Sequence, residues 1–153
     1  PGADCWSGQS AAQGCETNAV TGRSAQDLAG ADLNNSPDVK MTLSAEYFLP
    51  LSTMPFDGFF NLSYQYQSDV NFSLLADPGS EQGSYGVLNL SLGLVERENK
   101  RYEITLFANN VTDENFSTGI GNVGGLWGGT PVYIHVLPRE AQSYAGVKLG
   151  FSF

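Results

Sequence analysis

The feature that most constrains this chain is an alternation of apolar and polar residues that begins near Asp38 and recurs almost to the last residue. Successive side chains of a β-strand point to opposite faces, so a period of two predicts strands with one apolar and one polar face. No helical period of comparable strength occurs. The five main segments are 39–49, 60–73, 88–94, 101–109 and 141–153, and a brief additional strand, the fifth in chain order, is predicted near Glu114–Ile120.

Strands of this kind fit two surroundings. In a soluble β-sandwich the apolar faces of two sheets pack together, whereas in an outer-membrane barrel the apolar face contacts lipid and the polar face lines the interior. Uncharged Asn, Gln, Ser and Thr dominate the polar positions, and aromatic residues gather near segment ends. Segment lengths suit tilted membrane strands of about 9–11 residues. These features favour a barrel, but the alternation alone leaves both folds open.

Charge and hydropathy exclude other classes. The chain has 7 Lys and Arg against 16 Asp and Glu, a formal charge of −9, which argues against a nucleic-acid partner because a polyanion needs a basic footprint. No apolar run approaches the roughly 18 residues of a membrane helix. A charged segment followed by an apolar one, as in a signal peptide, is also missing from the start of the sequence.

The two cysteines, Cys5 and Cys15, lie in a polar stretch, 1–37, that has the composition of a loop. With His135 as the one histidine, a zinc site of the usual Cys/His kind cannot be assembled. The close spacing favours a local disulfide formed in an oxidising compartment, and two free thiols are the alternative. We therefore divide the chain into a loop region, 1–37, and a strand region, 38–153.

Several segments, in order, carry a resemblance to one family. Leu106–Phe116 (LFANNVTDENF) resembles the Asn-Leu-Thr-Asp-x-x-Tyr/Phe segment of TonB-dependent outer-membrane receptors. Pro138-Arg139 and Ser143–Phe153 resemble the strand that closes their barrel. Asp27–Pro37 is similar to a turn that precedes a rising strand, and Cys5–Cys15 is similar to a cysteine-bounded insertion of some members. The resemblance runs over nearly the whole chain.

The resemblance implies a plugged barrel of about 22 strands, of which this chain supplies about six. We expect a C-terminal piece of a longer receptor, since six strands cannot close round a plug and unpaired edges are not tolerated in lipid. Counting strands back from a periplasmic Phe153 predicts extracellular connections at Pro50–Gly58, Glu96–Lys100 and Gly121–Pro138. The same count predicts periplasmic connections at Ala76–Gly83, Val111–Asn115 and Cys5–Cys15, so that 1–37 would contain a periplasmic turn.

The implied function is import of a scarce nutrient, of the siderophore, cobalamin or glycan class, across the outer membrane of a Gram-negative bacterium. The implied partners are the remainder of the receptor, outer-membrane lipid, the nutrient ligand, and the TonB complex acting through the absent plug. The barrel-assembly machinery would read the C-terminal strand through Val147, Leu149, Phe151 and Phe153. A passive porin and a secreted, soluble β-sandwich or lectin-like domain are the alternatives.

The sequence offers no catalytic group for an enzyme. One imidazole is present without a G-x-S-x-G nucleophile elbow, and the Gly-rich run from Gly121 to Gly129 lacks the Lys-Ser/Thr of a phosphate loop. We expect no cofactor and no metal site. The scattered acids do not follow a calcium-loop spacing and are interpreted as solvated: Asp69, Asp77, Glu81, Glu96 and Glu98.

Ligand capture is the remaining chemistry. We hypothesise that Trp127, Tyr133 and His135, in the Gly-rich connection 121–138, contribute to a ligand vestibule, because aromatic side chains on a loop offer stacking area. The alternative is that Trp127 and Tyr133 anchor the loop at the membrane interface.

Overall fold

A computed structural model describes residues 2–153. The described residues are all-β, with 46% in strands and no α-helix, and four short 3-10 helices occupy Ala11–Gln13, Pro78–Ser80, Gly124–Trp127 and Arg139–Ala141. The strands are β1 (Ala3–Asp4), β2 (Glu16–Thr17), β3 (Ser24–Gln26), β4 (Lys40–Pro50), β5 (Phe56–Gln67), β6 (Val70–Asn71), β7 (Glu81–Gln82), β8 (Tyr85–Glu96), β9 (Tyr102–Asn109), β10 (Gly119–Asn122), β11 (Tyr133–Val136) and β12 (Tyr144–Phe151).

The chain divides into two compact units. We call 39–67, 85–115 and 139–153 the sheet unit, and 2–38, 68–84 and 116–138 the loop unit. The boundary predicted near residue 37 therefore marks the first crossing between them, but two later segments of the predicted strand region belong to the loop unit.

The sheet unit is one antiparallel sheet of five strands in the order β12-β9-β8-β5-β4. Its register runs straight across the strands, and one row is Tyr47, Phe60, Leu92, Leu106 and Val147. Because side chains alternate, this row and the rows two residues away share one apolar face. The predicted alternation and the antiparallel all-β class are confirmed. The sheet is open, since β4 and β12 have one neighbour each.

The apolar face of the sheet has no packed core against it. Leu92 is 54% exposed and Val147 is 60% exposed, although both lie within the sheet. Among the described residues of the sheet unit, the buried apolar side chains are Val87 and Ala141. Backbone pairing, rather than buried apolar side chains, thus defines this unit.

The prediction of a further strand of this sheet near Glu114–Ile120 is wrong. Asn110 and Asp113 have positive φ angles of 48° and 52°, which turn the chain after β9, and the sheet continues with β12. Residues 119–122 form β10, which pairs only with β11 among the described strands. The irregular path follows from short polar side chains, which tolerate the left-handed backbone region.

Because the sheet has five strands and not the six predicted, the connections are distributed differently between its two ends. The turns 51–55 and 97–101 lie at the end of the sheet that contains Phe151, whereas 68–84 and 110–143 connect strands at the opposite end. The predicted grouping of Gly121–Pro138 with the two short turns is therefore wrong. The turn expected at Pro50–Gly58 is also shorter, because β5 begins at Phe56.

The loop unit is built from short elements. It contains a three-stranded sheet, β1-β3-β2, and two separate pairs, β6-β7 and β10-β11. The predicted disulfide is confirmed, because Cys5 and Cys15 are bonded with their Cα atoms 5.7 Å apart. Four apolar side chains are buried in this unit: Trp6, Val70, Phe116 and Ile120.

Candidate functional site

A carboxylate with no exposed surface, that of Asp77, lies in the loop unit. It begins the 3-10 helix Pro78–Ser80, and its Oδ1 accepts a hydrogen bond from the Gly79 backbone N–H at 2.9 Å. Tyr133 donates its hydroxyl to the same Oδ1 at 3.0 Å, and Asn122 donates its side-chain amide to Oδ2 at 2.7 Å. These three hydrogen bonds stabilise the buried carboxylate of Asp77.

Tyr133 also closes one side of the cluster by packing. Its ring lies directly against the backbone of Gly79, where a Cβ atom would overlap the ring. Burial raises the pKa of the Tyr133 hydroxyl, and the hydrogen bond and the negative charge of Asp77 raise it further. Tyr133 is thus held as the neutral hydrogen-bond donor that Asp77 needs.

Asn122 joins the disulfide-bonded segment to the same cluster. Besides donating to Asp77, its amide donates to the Ser7 backbone carbonyl at 3.0 Å, and its own oxygen accepts from the Gly124 N–H at 2.9 Å. The Asn122 amide therefore links the three chain segments of the loop unit at one point.

A cavity of about 140 Å³ lies beside this cluster. Asp77, Asn122 and Ser80 contribute its polar lining, while Trp6 and Phe72 contribute aromatic lining. The Ser80 side chain is 1% exposed, and its Oγ has no hydrogen-bond partner. A buried hydroxyl without a partner is uncommon in folded proteins, which marks this cavity as a candidate binding site.

The two units differ in charge. The loop unit has eight carboxylates and one cation, Arg23, for a formal charge of −7, whereas the sheet unit has eight carboxylates and six cations, for −2. Most of the net negative charge of the chain thus lies in the unit that contains the candidate site, and a net negative charge attracts cations to that unit.

The structure does not join the three predicted ligand-binding residues into one site. Tyr133 and His135 share a face of β11, but Tyr133 contacts Asp77 while the His135 Nδ1 lies 3.1 Å from the Ser117 Oγ. Trp127 ends a 3-10 helix and is 69% exposed. Tyr133 is the predicted residue that contributes to the Asp77 cluster.

Sequence reasoning missed Asp77, Ser80 and Asn122 as a group, and it wrongly interpreted Asp77 as a solvated acid. The available signal was local: Asp77 precedes Pro78-Gly79, a combination that favours a tight turn capped by the aspartate side chain. The partners Asn122 and Tyr133 are 45 and 56 residues away, and no periodicity links them.

A second buried polar side chain, that of Asn110, fixes the end of β9 in the sheet unit. It has no exposed surface, and its amide donates to the carbonyls of Glu114 and Glu140 at 2.8 and 2.9 Å. Its side-chain oxygen accepts from the Glu114 N–H, and its own N–H donates to the side chain of Asn89. Asn110 belongs to the segment on which the family resemblance rests, and its role there is to position the chain.

The C-terminal residues with a predicted assembly role are exposed. Val147, Leu149 and Phe151 lie on the apolar face of β12 at 60 to 63% exposure, and Phe153 follows the strand. They are accessible to a partner in this structure.

The described residues contain no group of three or more His, Cys, Asp and Glu side chains arranged to hold a metal ion. They also contain no helix long and apolar enough to span a membrane. Comparisons with protein-family models, curated proteins and solved structures gave no match.

Proposed function

We propose that this chain is the C-terminal barrel part of a TonB-dependent receptor that imports a scarce nutrient across a bacterial outer membrane. The observation that carries the proposal is the apolar face of the sheet, which extends over five strands and has no core against it. In water such a face would be an aggregation hazard, whereas lipid is the solvent it suits.

The height of the apolar face is close to that of the apolar band on an outer-membrane barrel. From Phe56 to Tyr66, β5 rises about 33 Å along its axis. At a strand tilt of about 45° this corresponds to about 23 Å along the membrane normal, close to the apolar band of about 25 Å on outer-membrane barrels.

Aromatic side chains lie at both ends of the apolar face. Tyr64 and Tyr66 lie near one end, and Phe56, Tyr102 and Phe151 lie near the other, where Tyr102 and Phe151 meet edge to face with centroids 6.1 Å apart. The rows between them are mostly aliphatic, with Tyr47 and Phe60 as their aromatic members. Aromatic rings favour the two membrane interfaces, so this order supports a sheet that crosses the membrane.

The opposite face suits a hydrated interior. Its central positions carry hydrogen-bonding side chains, and Asn61 reaches Ser91 while Asn89 reaches Ser63 across neighbouring strands. The free edges of β4 and β12 need partners in lipid, and in this proposal the remaining strands of the receptor supply them.

The sheet topology changes the predicted sidedness. If the Phe151 end of the sheet is periplasmic, as the family resemblance implies, then the turns 51–55 and 97–101 are periplasmic. The connections 68–84 and 110–143, together with the segment before β4, then start from the extracellular end. We therefore assign Cys5 and Cys15 to the extracellular side instead of the periplasmic side predicted from six strands.

A pair of adjacent substitutions in the whole receptor tests the membrane assignment. Leu92 and Ser91 are neighbours on β8 that point to opposite faces. We expect Leu92→Lys to destabilise the folded receptor in bilayers by about 2–4 kcal/mol and Ser91→Lys to have little effect, because lysine near the bilayer centre is costly only on the lipid face. The measurement is urea unfolding in lipid vesicles. Equal effects, or folding of the native protein without detergent, would support the soluble β-sandwich instead.

Energised transport is tested separately. Cells that express the whole receptor should lose nutrient uptake when a protonophore collapses the inner-membrane potential, since the TonB complex supplies the force. Passive uptake that persists after this treatment would favour the porin. Retention of binding at the cell surface is the control, because ligand capture precedes the energised step.

A further inference from the structure

We propose that the cavity beside Asp77 binds the ammonium group of a small amine or of an amine-bearing ligand. The cavity is lined by residues of the loop unit alone. The proposal therefore does not depend on the membrane assignment of the sheet unit, and it adds a chemical class of ligand that the family resemblance does not supply.

The Asp77 carboxylate has one unused acceptor site. Its Oδ1 accepts two hydrogen bonds, from Gly79 and Tyr133, while its Oδ2 accepts one, from Asn122. A carboxylate oxygen has two acceptor sites, so Oδ2 retains one. The one ion pair among residues 2–153 joins Arg97 to Asp57 in the sheet unit, which leaves the Asp77 charge without a cation.

Ser80 supplies a second unused polar group. Its Oγ is the buried side-chain polar atom without a partner in the described part of the chain, and the residue lines the same cavity as Asp77. An ammonium group has three donors and no acceptor. In the proposed complex one donor pairs with the remaining acceptor site of Asp77 Oδ2 and a second pairs with the Ser80 oxygen, because both residues line this cavity.

The aromatic lining and the surrounding charge distinguish an ammonium group from water. Trp6 and Phe72 line the cavity, and the face of an aromatic ring attracts a cation. The formal charge of −7 on the loop unit also favours a cation over a neutral molecule. A volume of about 140 Å³ suits a small amine or the amino end of a larger ligand, while a whole siderophore or cobalamin would not fit.

The test is calorimetric titration of the whole protein at fixed ionic strength with methylammonium chloride and with methanol, its neutral counterpart of similar size. We expect saturable binding of methylammonium in the millimolar range and at least tenfold weaker binding of methanol. Asp77→Asn should abolish the binding of methylammonium. Asp69→Asn, which neutralises an exposed acid of the same unit, is the matched control and should change its affinity less than twofold.

Ser80→Ala tests the same site independently if Asp77→Asn prevents folding. This variant removes a hydroxyl that has no partner within the protein, so it should fold normally and bind methylammonium at least fivefold more weakly. Unchanged affinity in Ser80→Ala would overturn the proposal. Equal binding of methanol would assign the cavity to water, and a loss in Asp69→Asn equal to that in Asp77→Asn would assign the effect to diffuse charge.

Discussion

The sheet unit and the loop unit stabilise their chains in opposite ways. The sheet unit pairs long strands in a continuous register, and its apolar side chains remain exposed. The loop unit has strands of two to four residues, and it relies on a disulfide, four buried apolar side chains and the hydrogen bonds around Asp77. A strand ladder satisfies the backbone without a core, whereas irregular chain needs side chains to do so.

The two units also use their polar residues differently. In the sheet unit most polar side chains line one face, and a change there leaves the ladder intact. In the loop unit Gln26 donates to the backbone carbonyl of Leu75, and Asn122 donates to that of Ser7 and to the side chain of Asp77, so each joins distant segments. Polar substitutions should therefore be tolerated differently in the two units, with Asn110 as the exception in the sheet unit.

The largest effect is expected at that exception. Asn110→Ala removes three side-chain hydrogen bonds and forces alanine into a left-handed backbone conformation, which should lower the free energy of unfolding of the sheet unit by about 4 kcal/mol. Urea unfolding in detergent measures the change. Asn115→Ala, at an exposed asparagine in the same segment, is the control. Equal losses in the free energy of unfolding for both variants would refute the stabilising role of the Asn110 hydrogen bonds.

Removing the disulfide should affect the loop unit alone. Replacing both Cys5 and Cys15 by serine frees a loop with a sequence separation of 10 residues, and the loop unit should lose about 3 kcal/mol of stability. Amide hydrogen exchange, read separately for β3 and β8, checks this. Faster exchange in β8 to the same extent would show that the units do not unfold independently.

Two glycines test the packing around Asp77. Gly79→Ala places a Cβ atom in overlap with the hydroxyl edge of the Tyr133 ring and should cost about 2 kcal/mol, whereas the Cβ atom of Gly121→Ala meets open space and should cost less than about 1 kcal/mol. Thermal unfolding of both variants gives the comparison. A Gly121→Ala variant as unstable as Gly79→Ala would mean that the effect arises from backbone conformation.

The smallest effect concerns pH. The pKa of Tyr133 is raised in the folded loop unit, so its neutral form stabilises the fold. This contribution is fully present below the ordinary tyrosine pKa of about 10 and is lost as the pH rises through the higher pKa of the folded state. Hydrogen exchange in β11 should accelerate over that alkaline range, and Tyr133→Phe should flatten the response, while the sheet unit shows no matching change.

The strands were predictable because each carries its own period of two, and the cysteine pair was predictable because the cysteines are close in the sequence. The number of strands in the sheet was not predictable from the sequence. Residues 114–120 resemble a strand locally, but the positive φ angles at Asn110 and Asp113 direct the chain away from the sheet. The Asp77 site depends on Asn122 and Tyr133, which only tertiary structure brings near. Nothing in the local sequence of Trp127 indicated that it would stay exposed and outside the Asp77 cluster.

The uninterrupted pairing of β4, β5 and β8 has a consequence for how such a protein tolerates insertions. Every residue of β5 from Phe56 to Gln67 has a partner in β8, and no bulge absorbs an extra residue. The register therefore determines which residues of β5 lie on the apolar face and which on the polar face. One inserted residue within β5 would move the residues that follow it to the opposite faces, and a second would restore them. An insertion in the turn 51–55 would leave the faces of β5 unchanged.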